Sequence, residues 1–124
     1  MANPNIVNVS TITGNTTYVA LSSTSATTLL SNAASSNKVF KVDDIVVSNV
    51  NGSTAANVTV SVNSAAAGAG TAYRLAYQIS VPAGASLIVT DKSTSFYLME
   101  NQSVVITAGT ANYLEAVISY EDIS

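Results

Sequence analysis

Apolar and polar residues alternate with a period of two along most of this chain. In "AANVTVSVN", residues 55–63, Val58, Val60 and Val62 fall on one side and Asn57, Thr59, Ser61 and Asn63 on the other. That is the pattern of a half-buried β-strand. The rhythm recurs on both sides of it. "NIVNVST" and "TTYVALS" read as two short strands parted by a turn at Gly14–Asn15, and "ATTLLS" as a third. "NAASSN" is a small polar loop. "KVFKVDDIVVSNV" is one long strand or two with a bend. Asp43 and Asp44 interrupt its apolar phase, and a bulge there lets the phase resume. Asn51-Gly52 is a short-range hairpin signal that returns the chain into "AANVTVSVN".

The loop "SAAAGAG", residues 64–70, carries little side chain of its own to anchor it and reads as a mobile hairpin tip. "TAYRLAYQISV" then sets Tyr73, Leu75, Tyr77, Ile79 and Val81 on one face, which places Tyr73 and Tyr77 in the core or at its margin. Pro82, Ala83 and Gly84 make a turn into "ASLIVT", and "DKSTS" turns again. "FYLMENQ" and "SVVITA" are two more strands; Tyr97 lies out of phase with Phe96 and Leu98, which makes it an interface candidate. After "GTAN", the last strand "YLEAVISYED" sets Leu114, Ala116, Ile118 and Tyr120 inward and Glu115, Val117, Ser119 and Glu121 outward.

About eight to ten short strands with close turns, and no amphipathic helix, predict an all-β protein. The expected architecture is an antiparallel β-sandwich, jelly-roll or immunoglobulin-like. The 124 residues fit one domain, residues 6–124, with residues 1–5 as a loose arm.

Composition changes what such a sandwich can be for. Charged residues make up 9% of the chain, against roughly 25% in an ordinary soluble domain. Ser, Thr and Asn cover the surface instead. The net charge is −3, and the four cations, Lys38, Lys41, Arg74 and Lys92, are spread along the chain. They build no basic patch, so no nucleic-acid partner is expected. No apolar run reaches the roughly 20 residues of a membrane-spanning helix. "MANPNIVNVS" lacks the basic and apolar segments of a signal peptide. The expectation is a chain made in the cytoplasm, with no membrane partner.

There is no histidine and no cysteine. Imidazole and thiol catalysis, the usual serine triad and His/Cys zinc sites are therefore excluded. Asp43 and Asp44 are adjacent carboxylates inside a strand pattern; in a strand they face opposite ways, so a calcium contact would need a bulge to turn them. A kink that discourages edge pairing accounts for them more simply. Glu115, Glu121 and Asp122 show no spacing that calls for paired-carboxylate chemistry. Arg74 alternates with Tyr73 and Leu75 and is either an interface anchor or a guanidinium on the wet face. "GAG" at 68–70 lacks the Lys-Ser/Thr ending and the helix of a phosphate loop. Neither cofactor, metal nor enzymatic activity is expected.

What remains is the surface. Small uncharged side chains lower the entropy lost when surfaces pack together, and they leave little repulsion between copies. The reading is an assembly in which Asn57, Thr59 and Ser61, with Arg74 and Tyr97, meet neighbours. The competing reading is a carbohydrate-binding sandwich, which requires a clustered aromatic platform.

The middle and end of the chain are similar to a known class. "KVFKVDDIVVSNVNGSTAANVTVSVN" resembles a strand and hairpin of small structural proteins of tailed bacteriophages. "AYRLAYQISVPAGASLIVTDKSTSFYLMENQSVVITA" resembles the next strands and turns of those proteins, and "VISYEDI" resembles their usual ending. The similarity spans residues 38–123 and leaves the first 37 uncovered. It carries over as architecture: Asn51 and Gly52 hold the hairpin, Pro82, Ala83 and Gly84 the next turn. Glu100 and Ser103 flank the turn before "VVITA", and Tyr120 and Glu121 mark the end strand. Asp43-Asp44 departs from the pattern, which is apolar or small there. The resemblance implies a non-enzymatic β-sandwich virion component, such as a capsid decoration or a neck or tail accessory. Its expected partners are further copies of itself and other virion proteins.

Overall fold

The computed structural model describes residues 7–124. It contains nine strands: β1 Ile12–Ala20, β2 Thr27–Asn32, β3 Val39–Asn49, β4 Ala56–Asn63, β5 Ala72–Val81, β6 Ser86–Thr90, β7 Phe96–Leu98, β8 Gln102–Ala108 and β9 Leu114–Ile123. They form two antiparallel sheets. One runs β1-β9-β3-β6, with β7 also on β3; the other runs β2-β8-β4-β5. β6 pairs with the second half of β3 and β7 with the first half, on the same flank. The two are one edge strand, broken by a 3₁₀ turn at Lys92–Thr94. Asp91 caps that turn by accepting from the Ser93 amide at 3.0 Å, while Thr94 reaches back to the Asp91 amide at 3.1 Å. The Ser93 hydroxyl, chiefly, holds the Asp91 carboxyl below its usual range.

With β6 and β7 counted together, the strands pair from the chain ends inward: β1 with β9, β2 with β8, β3 with β6 and β7, β4 with β5. Such a ribbon, rolled so that its halves face each other, is a jelly roll. The expected all-β sandwich is present, in its jelly-roll form.

The core lies between the sheets. β3 contributes Val42, Ile45 and Val47, β9 Ala116 and Ile118, β4 Val58 and Val60, and β8 Val104 and Ile106, all essentially without exposure. Inward residues of β3 step from Val42 to Ile45, three positions on. The bulge that the sequence requires is there: Val42 faces Tyr120 and Asp44 faces Ser119, leaving Asp43 as the extra residue. Tyr120 packs on this core, its ring tilted against Phe40 at a centroid distance of 5.0 Å.

Three local expectations are overturned. Gly14–Asn15 is no turn: both residues sit inside β1, opposite Glu121 and Tyr120 in an unbroken ladder with β9. Tertiary pairing overrides their turn preference. "NIVNVST" yields no separate strand; its residues 5 and 6 lie outside the described residues, and the strand begins only at Ile12. Asn51-Gly52 does turn the chain, but not as a hairpin, because β3 and β4 belong to different sheets. A tight hairpin turn of that type needs positive φ at both central residues, and neither has it. Instead the Asn51 Oδ1 accepts from the amides of Ser53 at 2.9 Å and Thr54 at 2.8 Å, shaping an arch between the sheets.

Pro82–Ala85 is a second arch beside it. The Ala85 amide donates to the Pro82 carbonyl at 3.0 Å, and the Gly84 amide to the Asn51 carbonyl at 3.0 Å. Gly84 has φ +69 at the third turn position, where a type II turn needs glycine.

Candidate interaction surfaces

The strand registers determine which side chains share the outer face of the β1-β9-β3-β6 sheet. Tyr18 faces Val117, Val117 faces Val46, and Val46 faces Ile88. Four apolar side chains thus form one row from edge to edge of the sheet. Tyr18 is 77% exposed and Ile88 61%. Polar rows flank it. On one side Thr16 and Ser119 share a hydroxyl hydrogen bond of 2.9 Å. On the other Ser48 and Ser86 share one of 3.0 Å, next to Glu115 opposite Ala20 and Ser48. An apolar strip with a polar rim has the composition of a protein interface.

The outer face of the second sheet is built differently. Ser61 and Asn63 point away from the core, as the alternation requires, yet both are buried, Ser61 at 4% exposure. Residues 64–70 fold back over them. Asn63 Nδ2 donates to the Gly68 carbonyl at 2.9 Å, and Ser61 Oγ donates to Asn63 Oδ1 at 2.9 Å. The amides of Ala66, Ala67 and Gly68 donate to Asn101 Oδ1, Ser31 Oγ and Ser103 Oγ. The loop is thus held chiefly through its backbone, anchored by polar side chains of β2, β4 and β8 and by Asn101, while Ser64 Oγ accepts from the Thr71 amide at its base at 2.8 Å. Ser61 is thereby removed from the candidate surface. Asn57 stays exposed, and Thr59, partly buried, accepts from the Gln78 amide at 3.0 Å. These two, with Gln78 and Thr107, line a shallow polar depression.

β5 is one of the two edges of that sheet. Two bulges break its register with β4, and Gln78 takes φ +49. Tyr73 and Tyr77 are 66% and 58% exposed, and Leu75 and Ile79 are exposed as well. This corrects their expected place in or near the core: the strand lies at the open margin of the sandwich, where among the described residues no further strand covers it. Arg74 stacks over the Tyr77 ring at 5.3 Å, a cation–π contact. Tyr97 is exposed on β7, opposite Lys41. Tyr97 on β7 lies in one sheet, while Arg74 on β5 and Asn57 and Thr59 on β4 share the outer face of the other. The residues singled out in the sequence do not converge on one site.

No protein-family model and no curated protein matches this chain. Solved structures do. A protein of the disulfide-linked pili that form Bacillus endospore appendages superposes with a TM-score of 0.53 at 16% identity. The match covers 92% of this chain and 88% of that one. A chain of the acid-stable capsid of Helicobacter pylori bacteriophage KHP30 superposes with a TM-score of 0.53 at 12% identity, over 94% and 90%. At such identities the likeness is one of fold.

The row Tyr18, Val117, Val46 and Ile88 escapes sequence reading. Each residue looks ordinary in its own strand, and only the cross-strand registers bring the four together. The one visible signal is Val117, an apolar residue at an outward position between Glu115 and Ser119.

Proposed function

We propose that this chain is a non-enzymatic structural subunit of a bacteriophage virion, a capsid decoration or a neck or tail accessory, that acts by packing against other proteins. The observation that carries the proposal is the exposed apolar row across one whole sheet, framed by polar rows of hydroxyls and the carboxylates Glu115 and Asp44. A surface of that kind is made to be covered. The jelly roll it shares with a phage capsid chain and a pilus protein supports the reading, as do the ordered phage-like segments between residues 38 and 123. The pilus is disulfide-linked; this chain has no cysteine, so its contacts would be non-covalent.

Mass spectrometry of gradient-purified virions tests the proposal. Peptides of this chain that stay with the particles at structural stoichiometry support it. Their absence from particles, with the protein free in the lysate, refutes it.

A second reading has one observation of its own. Tyr73 and Tyr77, exposed on one strand with Arg74 over the second ring, offer stacking surfaces for sugar rings. A glycan array separates the two: binding that Tyr77→Ala abolishes favours a carbohydrate module, and a blank array favours packing.

A further inference from the structure

A jelly roll of two open sheets has four strand edges, and natural sheets protect such edges against pairing with other chains. Three of the four carry protection here. β5 is bulged twice and bears Arg74. The β6–β7 edge is broken by a 3₁₀ turn that carries Lys92. β2 is six residues long with a bulge at Leu29. β1 has none of these devices. Its nine residues, "ITGNTTYVA", contain no charge, no proline and no bulge, and pair with β9 in unbroken register.

The free hydrogen-bonding groups of β1 can be assigned. Thr11 and Ser124 exchange both amide–carbonyl bonds at 3.0 Å, and the Leu21 amide donates to Leu114. Alternation along an antiparallel ladder then turns the odd-numbered residues toward β9. The amides and carbonyls of Ile12, Gly14, Thr16, Tyr18 and Ala20 face the open edge, where among the described residues no strand pairs with them.

We propose that this edge pairs antiparallel with β1 of a second copy about a two-fold axis at Thr16. Only this centre pairs the strand over its full length, Ile12 against Ala20 and Gly14 against Tyr18. It also matches the side chains. Gly14 has open space where a side chain would stand, and on the same face Tyr18 is largely exposed. The two-fold axis lays each Tyr18 ring beside the other copy's Gly14, the aromatic–glycine pairing that compensates a glycine within a sheet. The interface is isologous and closes as a dimer. No charged side chain of β1 opposes it. The inference rests on β1 itself and stands whether or not the chain belongs to a virion.

The absence of cysteine supplies the test. In the hydrogen-bonded pair at the axis the two Cα atoms are about 5.5 Å apart, within disulfide range. Thr16→Cys, mildly oxidised at micromolar concentration, is expected to form a reducible dimer on the order of a hundredfold faster than Ser93→Cys on the protected edge. The parent chain is expected to be dimeric by analytical ultracentrifugation. Thr16→Pro, which removes an edge amide and, of the bonds to β9, only the exposed hydroxyl bond to Ser119, is expected to be monomeric with an unchanged circular dichroism spectrum. A monomeric parent overturns the proposal. So does cross-linking at Thr16 no faster than at Ser93, which would mean that another edge, or another protein, is the partner. Should Thr16→Pro fail to fold, the two cysteine rates still decide.

Discussion

The Ser103 hydroxyl accepts from the Gly68 amide at 3.0 Å and donates to the Ala65 carbonyl at 2.8 Å. Ser103 is fully buried, although it points away from the core. The glycine also matters at the other end of the bond. Gly68 has φ +78, and a Cβ there would stand 2.9 Å from Thr28 Oγ1. Ser103→Ala strands one amide and one carbonyl under the loop, and the expected cost is about 2 kcal/mol. Urea unfolding measures it. Hydrogen exchange at the Gly68 amide is expected to rise by more than the global loss of stability accounts for, because the loop also opens locally.

Asn49 is buried at the end of β3, where its Nδ2 donates to the carbonyls of Thr54 and Val81, both at 2.9 Å, while its Oδ1 accepts from the Asn51 amide at 2.9 Å. One side chain therefore ties the first inter-sheet arch to the end of β5. Asn49→Ala leaves two carbonyls and an amide unpaired at the core boundary. The expected loss is roughly 3 kcal/mol, read from the shift of the urea midpoint at unchanged slope. Asn49→Asp is expected to do no better, since a carboxylate cannot donate to either carbonyl.

The bulge at Asp43 makes an unusual prediction about deletions. Val42, Asp44 and Ile45 already alternate in, out and in once Asp43 is skipped, and on the opposite flank residues 91–95 loop away from β3. Deleting Asp43 is therefore expected to preserve every inward residue and to cost roughly 1 kcal/mol. Deleting Val46 shifts Val47 outward and Ser48 inward, because a one-residue slip exchanges the faces of a strand. That variant is expected not to fold. Circular dichroism melts of the two deletions give the comparison.

The strand count, the faces of β9 and the bulge in β3 were legible because they follow from periodicity within one segment. Features that depend on two distant segments were not. Gly14–Asn15 looks like a turn until β9 is laid beside it. Asn51-Gly52 looks like a hairpin because nothing local says that β4 joins the other sheet. Tyr73 and Tyr77 alternate like core residues, and only their place on a bulged edge strand exposes them. Ser61 belongs to a polar outward face, as its phase indicates, but a loop from its own chain covers that face. The alternation reveals which side a residue takes; whether that side is wet depends on what lies over it.

Alkaline titration probes Tyr120. Burial, and secondarily the nearby Asp122 carboxylate, raise its phenol above the usual value near 10, with Lys38 opposing them. Lys38 itself pairs with Asp122 at 3.1 Å. The folded state thus holds the proton more tightly than the unfolded chain does, so the unfolded state loses it first as pH rises. The contribution is complete below about pH 10 and declines above it. Tyr120→Phe keeps the ring against Phe40 and has no proton to lose. In urea titrations from about pH 8 to 11, across the ordinary phenol range, its midpoint is expected to fall less than that of the parent chain.

Ile88 tests the apolar row as a docking surface. Its side chain ends the row at the β6 edge, far from β1, and supports no inward packing. Ile88→Lys is therefore expected to alter stability by no more than about 0.5 kcal/mol. At a covered interface the same lysine is desolvated without a partner, on the order of 2 kcal/mol, or roughly thirtyfold in affinity. Copies per particle, counted by mass spectrometry of virions that carry the variant, are expected to fall accordingly, while the Thr16 cross-linking rate in solution stays unchanged. Ile88→Val, which keeps the row apolar, is expected to restore incorporation. Full incorporation of the lysine variant would mean that this face stays in water and that the particle contacts lie elsewhere, with the exposed tyrosines of β5 as the next surface to change.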